Sequence, residues 1–299
     1  MAQALAVMHA LCRVHPDRRF RVELVRTRGD RDASTSLAAM GAPGVFTREL
    51  ELALIEGRID LAVHSLKDLP TALPDGLALA PAVPRREDPR DVVVTRDGRA
   101  MALLPAAARV GTGSLRRRAQ LAALRGDLVF EDMRGNVDTR LRKVRDGQVD
   151  AVVLARAGLA RLGLLTDAME VLDADRMLPA PGQGALGLEI READVALAEL
   201  LAVLDDPPSR YAVVAERALL RHLEGGCRTP VAALGLPLAP DRLTLTGLVA
   251  SADGARVVRD DLAGPLAEAE ALGRRLADRL LDAGGREILA EIRRGRVFP

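Results

Sequence analysis

The sequence predicts an α/β protein built as two similar alternating blocks followed by a small α+β tail. Three observations predict it. Helix-like and strand-like segments alternate over residues 1–65 and again over residues 91–165, and a proline-rich passage separates the two blocks. The end of the chain pairs two strand-like runs with one amphipathic helix. With 299 residues and 48% hydrophobic content, the chain is long enough to bury more than one core.

In chain order, residues 3–14 have the apolar spacing of an amphipathic helix, and "RFRVELV" at 19–25 alternates as a strand. "FTRELELALIEGRID" reads as a helix that delivers the chain into the strand "IDLAVHS". "LPTALPDGLALAPAVPRREDPRD" is a crossing, too rich in proline for regular structure. The second block follows as "DVVVT", then "ARVGTGS" (strand and turn), "LRRRAQLAALR" (helix) and "DLVFEDM" (strand). It continues with "NVDTRLRKVRDG" (helix) and "VDAVVLARAGLARLG" (strand, then helix), a pattern that predicts a parallel sheet with crossover helices. "LPAPGQGALGLEIR" is a second crossing, ending in a strand that returns to the first sheet. A helix over 209–223 leads into "LEGGCRTP", and the tail pairs "RLTLTGLVA" and "ARVVRDDLA" with a helix over 265–283.

Charge and composition narrow the function. The net charge is +1, which gives no global basic field for nucleic acid, and the absence of Trp together with a single tyrosine, Tyr211, leaves no platform for stacking bases. Of the 43 basic residues only Lys67 and Lys143 are lysine, so any single arginine carries little information. Cys12 and Cys227 make no disulfide framework and have no metal-ligand spacing, so no metal is expected and a reducing cytoplasm is. The N-terminus has no basic segment followed by a small-residue cleavage site, and no run is long enough to span a bilayer, so neither export nor a membrane partner is expected.

Four constellations hold chemistry-bearing residues. Ser65, Lys67 and Asp68 lie just past the end of an apolar strand, where α/β sheets bind ligands, although the same Lys-Asp pair also occurs on plain solvated loops. "VGTGSLRRR" turns a strand into a helix through Ser114, placing backbone N–H groups and the forks of Arg116 and Arg117 where an anion is held, or where a capped helix turns a basic face to solvent. Arg134 and Arg140 belong to the next strand end, and Arg161 is a lone helical arginine, by default on the surface. Cys227 stands after two glycines and before Arg228, in a tight loop that favours thiolate, whereas Cys12 in its apolar helix reads as core.

Together, "DLAVHSLKDLP", "REDPRDVVV", "VGTGSLRRRAQL", "RGNVDTRLRKV", "LPAPGQGALGLE", "AERALLRHLEGGCRTP" and "GREILAEI" resemble, in order and spacing, the hydroxymethylbilane synthase (porphobilinogen deaminase) family. The resemblance runs from Gln3 to near the C-terminus. It implies two periplasmic-binding-protein-like lobes with a central cleft, formed by residues 1–86 with 183–204 and by 87–182, plus a C-terminal α+β domain over 205–299 that carries the cofactor cysteine. It implies a dipyrromethane cofactor in thioether linkage to Cys227, Asp68 as the catalytic carboxylate, and porphobilinogen as the substrate of a cytoplasmic monomer. Ser65, Lys67, Ser114, Arg116, Arg117, Arg134 and Arg140 match cofactor contacts, and Arg161, Arg134 and Arg140 match substrate contacts. Arginine suits the task because each pyrrole brings two carboxylates that need two-point pairing.

The sequence departs from the family in two places. Pro43 and Ala39 stand where the family has loop lysines, and the family's opening strand with its Arg-x-Ser motif does not precede the first helix. The expectation that follows is a start codon further upstream, with "RVELV" and "DLAVHS" deprived of the strand between them. The alternative is a truncated or non-catalytic paralogue, an organic-anion-binding module with no need of a reactive thiol.

Overall fold

The computed structural model describes residues 1–25, 47–225 and 229–295. Two compact units contain them: residues 1–87 with 185–210, and residues 88–184 with the chain from Tyr211 onward. The fold is α/β in both, with an α+β portion at the C-terminal end.

In the first unit, α1 (Ala2–Val14) turns Val7 and Leu11, four residues apart, onto a core with Leu186, Leu188, Ile190 and Leu201. Cys12 faces the other way and is exposed, not core, because it falls off the Val7–Leu11 stripe. Helix α2 (Arg48–Ile55) carries Glu49 and Glu51 in its first turn, favourable against the helix dipole, and buries Ala53 and Leu54. It leads into β1 (Leu61–Ser65), which ends in a single 3₁₀ turn, Leu66–Asp68. Strand β2 (Leu77–Leu79) follows.

The second unit begins with β3 (Asp91–Thr95). Then come β4 (Arg109–Gly111) and α3 (Leu115–Leu124), β5 (Val129–Glu131) and α4 (Val137–Arg145), and β6 (Ala151–Ala155) and α5 (Arg156–Arg161). After β7 (Glu170–Leu172), the strand β8 (Leu186–Arg191) lies in the first unit between β1 and β2, antiparallel to both. Helix α6 (Val195–Leu201) closes that unit, capped by Asp194, which accepts from the Leu197 N–H at 3.1 Å.

The second sheet has the order β5-β4-β6-β3-β7 and is mixed, which corrects the expected all-parallel sheet. β4 is parallel to β5 and β6, whereas β3 is antiparallel to β6 and β7. The reason lies in the connections: between β3 and β4 there is only a 3₁₀ turn at Met101–Leu103, not the crossover helix that a parallel pair needs. The expected strand at 19–25 is also corrected. Residues 21–25 form no ladder, and among the described residues β1 pairs with β8 alone.

Helix α7 (Pro207–His222) leads to an antiparallel meander of β9 (Val231–Ala239), β10 (Arg242–Ala250) and β11 (Val257–Pro265). Helix α8 (Ala269–Leu280) and α9 (Arg286–Arg293) cover one face, with Leu272, Leu276 and Leu280 buried against Leu219, Leu243 and Leu245. β9 was not expected as a strand because Gly235 and Pro237 interrupt it. The structure accommodates them by making β9 an edge strand, with a register break beside Leu243 opposite Pro237. The other face of the meander joins α3: Ala232, Leu234, Leu248 and Ala250 pack with Ala119 and Leu178. Gly254, at φ +73°, sets the turn before β11 directly on the α3 backbone at Ala119 and Ala123, where a side chain has no room.

Candidate active site

Three adjacent strand ends bring the five candidate arginines into the second unit. β4 and β5 run parallel with Gly111 opposite Glu131, so the loops that follow them leave the sheet side by side. Each loop starts a capped helix: Ser114 Oγ accepts from the Arg117 N–H at 3.4 Å, and Asn136 Oδ1 accepts from the Thr139 N–H at 2.9 Å. Gly113 lies against the Met133 carbonyl and the Asp132 carboxylate, close enough that a Cβ would come within 3.0 Å of that carbonyl. Ser114, Arg116 and Arg117 from the first loop and helix thus share a region with Arg134 and Arg140 from the second. Arg161 comes from the helix after β6, next in the sheet.

The three arginines of α3 have three different environments. Arg116 and Arg117 are 4% and 6% exposed, so neither turns to solvent, and both pair with Asp91, the first residue of β3. Arg117 grips Asp91 Oδ1 through Nε at 3.2 Å and Nη2 at 2.8 Å, and donates through Nη1 to the Val153 carbonyl at 2.9 Å. Arg116 reaches Asp91 Oδ2 at 2.8 Å and the Leu178 carbonyl at 2.8 Å. Arg118 is half-buried, with its guanidinium 5.7 Å from the centre of the Phe130 ring.

Asp91 is fully buried, yet the charges and hydrogen bonds of Arg116 and Arg117 outweigh the upward push of burial and hold its carboxyl well below the usual range. Burial pulls Arg116 down despite the attraction of Asp91, with the like charge of Arg117 adding to the pull. Two guanidinium groups share one carboxylate, so the cluster keeps one surplus positive charge inside the protein. Arg116 Nε is buried and has no acceptor among the described residues. An arginine-rich site of this kind fits a cofactor that carries carboxylates.

The remaining candidates lie as follows. Arg134 is 3.6 Å from Asp132, Arg140 Nε donates to the Gly135 carbonyl at 2.8 Å, and Arg161 donates to the Gly184 carbonyl at 2.6 Å. In the first unit, Ser65 closes β1 and its Oγ accepts from Gln3 Nε2 at 2.7 Å. The next turn is pinned by buried Leu66, whose N–H donates to the Ala185 carbonyl at 3.0 Å; this leaves Lys67 half-buried and Asp68 exposed. Cys227, Pro43 and Ala39 lie outside the described residues.

Sequence reasoning missed four polar residues. Asp91 was visible only as one acid in "REDPRDVVV" ahead of an apolar strand. His64 and Glu189 form a buried pair at 2.8 Å across β1 and β8, one residue before Ser65. Glu216, 0% exposed on α7, accepts from the N–H groups of Gly182 at 2.6 Å and Gly235 at 2.7 Å. On the same helix, burial and then the like charge of Arg221 pull Arg217 down to about 10. No helix among the described residues is long and apolar enough to cross a membrane.

An α/β protein with an arginine-rich anion site is the class that this fold and site define, and comparison with known proteins narrows it to an enzyme family. The family model described as "Porphobilinogen deaminase, dipyromethane cofactor binding domain" matches residues 1–199, and "Porphobilinogen deaminase, C-terminal domain" matches residues 210–282. The chain belongs to the porphobilinogen deaminase family, whose members are transferases with a dipyrromethane cofactor. It is 51% identical over 290 residues to a "Porphobilinogen deaminase" of Roseiflexus castenholzii, covering 97% of this chain and 95% of that one. It is likewise 51% identical over 295 residues to one of Desulforudis audaxviator, covering 99% and 95%. Among solved structures, the substrate binding protein of an amino acid ABC transporter is similar at a TM-score of 0.39 and 13% identity over 67% of this chain and 78% of that one, too slight a likeness to bear on function.

Proposed function

We propose that this chain is a hydroxymethylbilane synthase whose chemistry is divided between Asp68 and the arginines of the second sheet. Four porphobilinogen units are joined into a linear tetrapyrrole, with loss of one ammonia per unit, and one water is taken up as the bond to the primer breaks and the product leaves. When bound, the dipyrromethane supplies the pyrrole carbon at which the first unit is added. Cys227, five positions after the end of α7 in the sequence, holds it in thioether linkage. Arg116, Arg117, Arg134 and Arg140, with Ser114, Ser65 and Lys67, hold its carboxylates. Arg134, Arg140 and Arg161 orient the side-chain carboxylates of the incoming porphobilinogen. Asp68 stabilises the positive charge that develops as ammonia leaves and moves the proton between carbon and leaving group. The enzyme works as a cytoplasmic monomer on a small-molecule substrate, and a net charge of +1 gives no global field for a nucleic-acid partner.

The observation that carries the residue assignment is the surplus positive charge buried at Asp91, Arg116 and Arg117. A buried cation without a full counter-charge is unfavourable, and a ligand carboxylate relieves it. Intact mass of the purified protein, together with an aldehyde colour test for pyrroles, tests the reading. The expected result is an adduct of two porphobilinogen-derived units that Cys227→Ser removes and Cys12→Ser keeps. An unmodified mass in protein made with ample precursor would leave an anion-binding module instead.

A further inference from the structure

The crossing "LPAPGQGALGLE" has no role in the chemistry above, yet its three-residue turn Gly182–Gly184 makes contacts with Asp91 on β3, Arg161 on α5 and Glu216 on α7. Gly182 and Gly184 have φ of +74° and +87°, the left-handed region that favours glycine, so the spacing of "GQG" is set by backbone shape. That shape turns successive polar groups in different directions. The Gly182 N–H meets Glu216 on α7 at 2.6 Å. Gln183, 1% exposed, donates from Nε2 to Asp91 at 2.8 Å and to the Pro89 carbonyl at 2.6 Å. The Gly184 carbonyl accepts from Arg161 at 2.6 Å.

We propose that Gln183 and Glu216 are positioning residues: through this turn they hold the Arg116–Arg117 pair, Arg161 and the helix leading to Cys227 in one frame. Gln183 acts through Asp91, the common partner of both arginines. Glu216 acts on α7, whose last residue, His222, precedes Cys227 by five positions in the sequence. Glu216 also holds Gly235, so the same carboxylate ties the turn to the edge strand β9. Buried amide and carboxylate groups with at least two partners each allow little freedom, because any rotation leaves a donor or acceptor unpaired. Neither residue needs to touch substrate.

The proposal rests on the reading that these arginines hold cofactor and substrate carboxylates, and two arms of one experiment separate them. Holoprotein is prepared as Gln183→Met, which keeps volume and removes both bonds donated by Nε2, as Glu216→Gln, which keeps volume and removes one acceptor, and as Leu276→Ala, which opens the core between α8 and the meander away from the turn. Under limiting porphobilinogen, the fraction carrying the adduct should fall in both turn variants. In their loaded fraction KM should rise at least roughly tenfold, the effect of losing one buried hydrogen bond or more, with kcat little changed. Leu276→Ala should keep wild-type loading and KM, although it lowers the melting temperature at least as much. Wild-type loading and KM in both turn variants, or the same shifts in Leu276→Ala, would overturn the proposal. In the second arm, the ¹⁵N–¹H signals of Arg117 Nε and Arg161 Nε are followed in apoprotein, and Gln183→Met should move both. If neither moves, the relay is wrong whatever the cofactor does. If both move while wild-type protein carries no adduct, the relay stands and the cofactor reading falls. Where Gln183→Met does not fold, Glu216→Gln decides.

Discussion

Two aspartates, Asp68 and Asp91, each mark one end of an apolar strand, and the protein gives them opposite surroundings. Asp68 follows β1 on a 3₁₀ turn and is exposed, whereas Asp91 opens β3 in the interior of its sheet, is 0% exposed and carries two arginines and a glutamine amide. A carboxylate meant to meet a developing cation must be reachable and must not already be neutralised by a partner. A carboxylate meant to aim two guanidinium forks must be rigid, and burial among hydrogen bonds makes it so. On the proposed reading the same side chain serves chemistry in one unit and geometry in the other, and the difference lies in its neighbours.

The largest effect should come from Asp91→Asn. It leaves two buried guanidinium groups with no counter-charge, a loss of about 3–5 kcal/mol, and calorimetry should show the second unit melting on the order of 10 °C lower. A melting temperature unchanged by Asp91→Asn would erase the contrast between the two aspartates. Asp68→Asn should do the reverse: turnover falls by roughly 10²–10⁴, while stability stays within about 0.5 kcal/mol and the adduct remains on the protein. Bilane formation near the wild-type rate would remove Asp68 from the chemistry.

Arg116→Leu and Arg117→Leu sharpen the comparison from the other side. Either change removes the surplus charge and leaves a neutral Asp–Arg pair, so the loss of stability, about 1–3 kcal/mol, should be smaller than for Asp91→Asn. Cofactor loading or early elongation should nevertheless suffer, read by mass after timed addition of porphobilinogen. Normal loading in both would assign these arginines to structure alone.

Acid adds a smaller test. The pKa of Asp91 is depressed in the folded state, so its ionisation stabilises the fold at pH values above its unfolded pKa, about 3.9, and that stabilisation is lost as pH falls below it. Urea midpoints measured from pH 5 down to pH 3 should drop more steeply for wild type than for Asp91→Asn. Equal slopes would show that other carboxylates dominate acid unfolding. Smallest of all, Cys12→Ser on the exposed face of α1 should change stability by less than about 0.5 kcal/mol and leave the adduct intact, as mass and melting temperature together would report.

Local pattern made the helices at α1, α2, α3, α4 and α7 legible, because an amphipathic stripe or a Ser or Asn cap is written in a few neighbouring residues. The strand ends that precede Ser114 and Arg134 and the one that closes on Ser65 were legible for the same reason. The strand at 19–25 was misread because alternation does not supply a ladder partner, and β9 was missed because its glycine and proline are tolerated only on an edge. The buried state of Arg116 and Arg117 was missed because the reading offered only an anion cradle or a solvent face, and neither local sequence names Asp91.

The sequence by itself determined the fold class, the family and the inventory of charged groups, since these depend on composition, period and the order of short motifs. Only the tertiary structure decided which groups remain available for ligands and which are committed inside. Asp91 meets Arg117 across 26 positions, Gln183 meets Asp91 across 92, and Glu216 meets Gly182 across 34. Pairings at such separations follow from which strands become neighbours, and that is settled by the burial of whole sheets rather than by any local residue pattern.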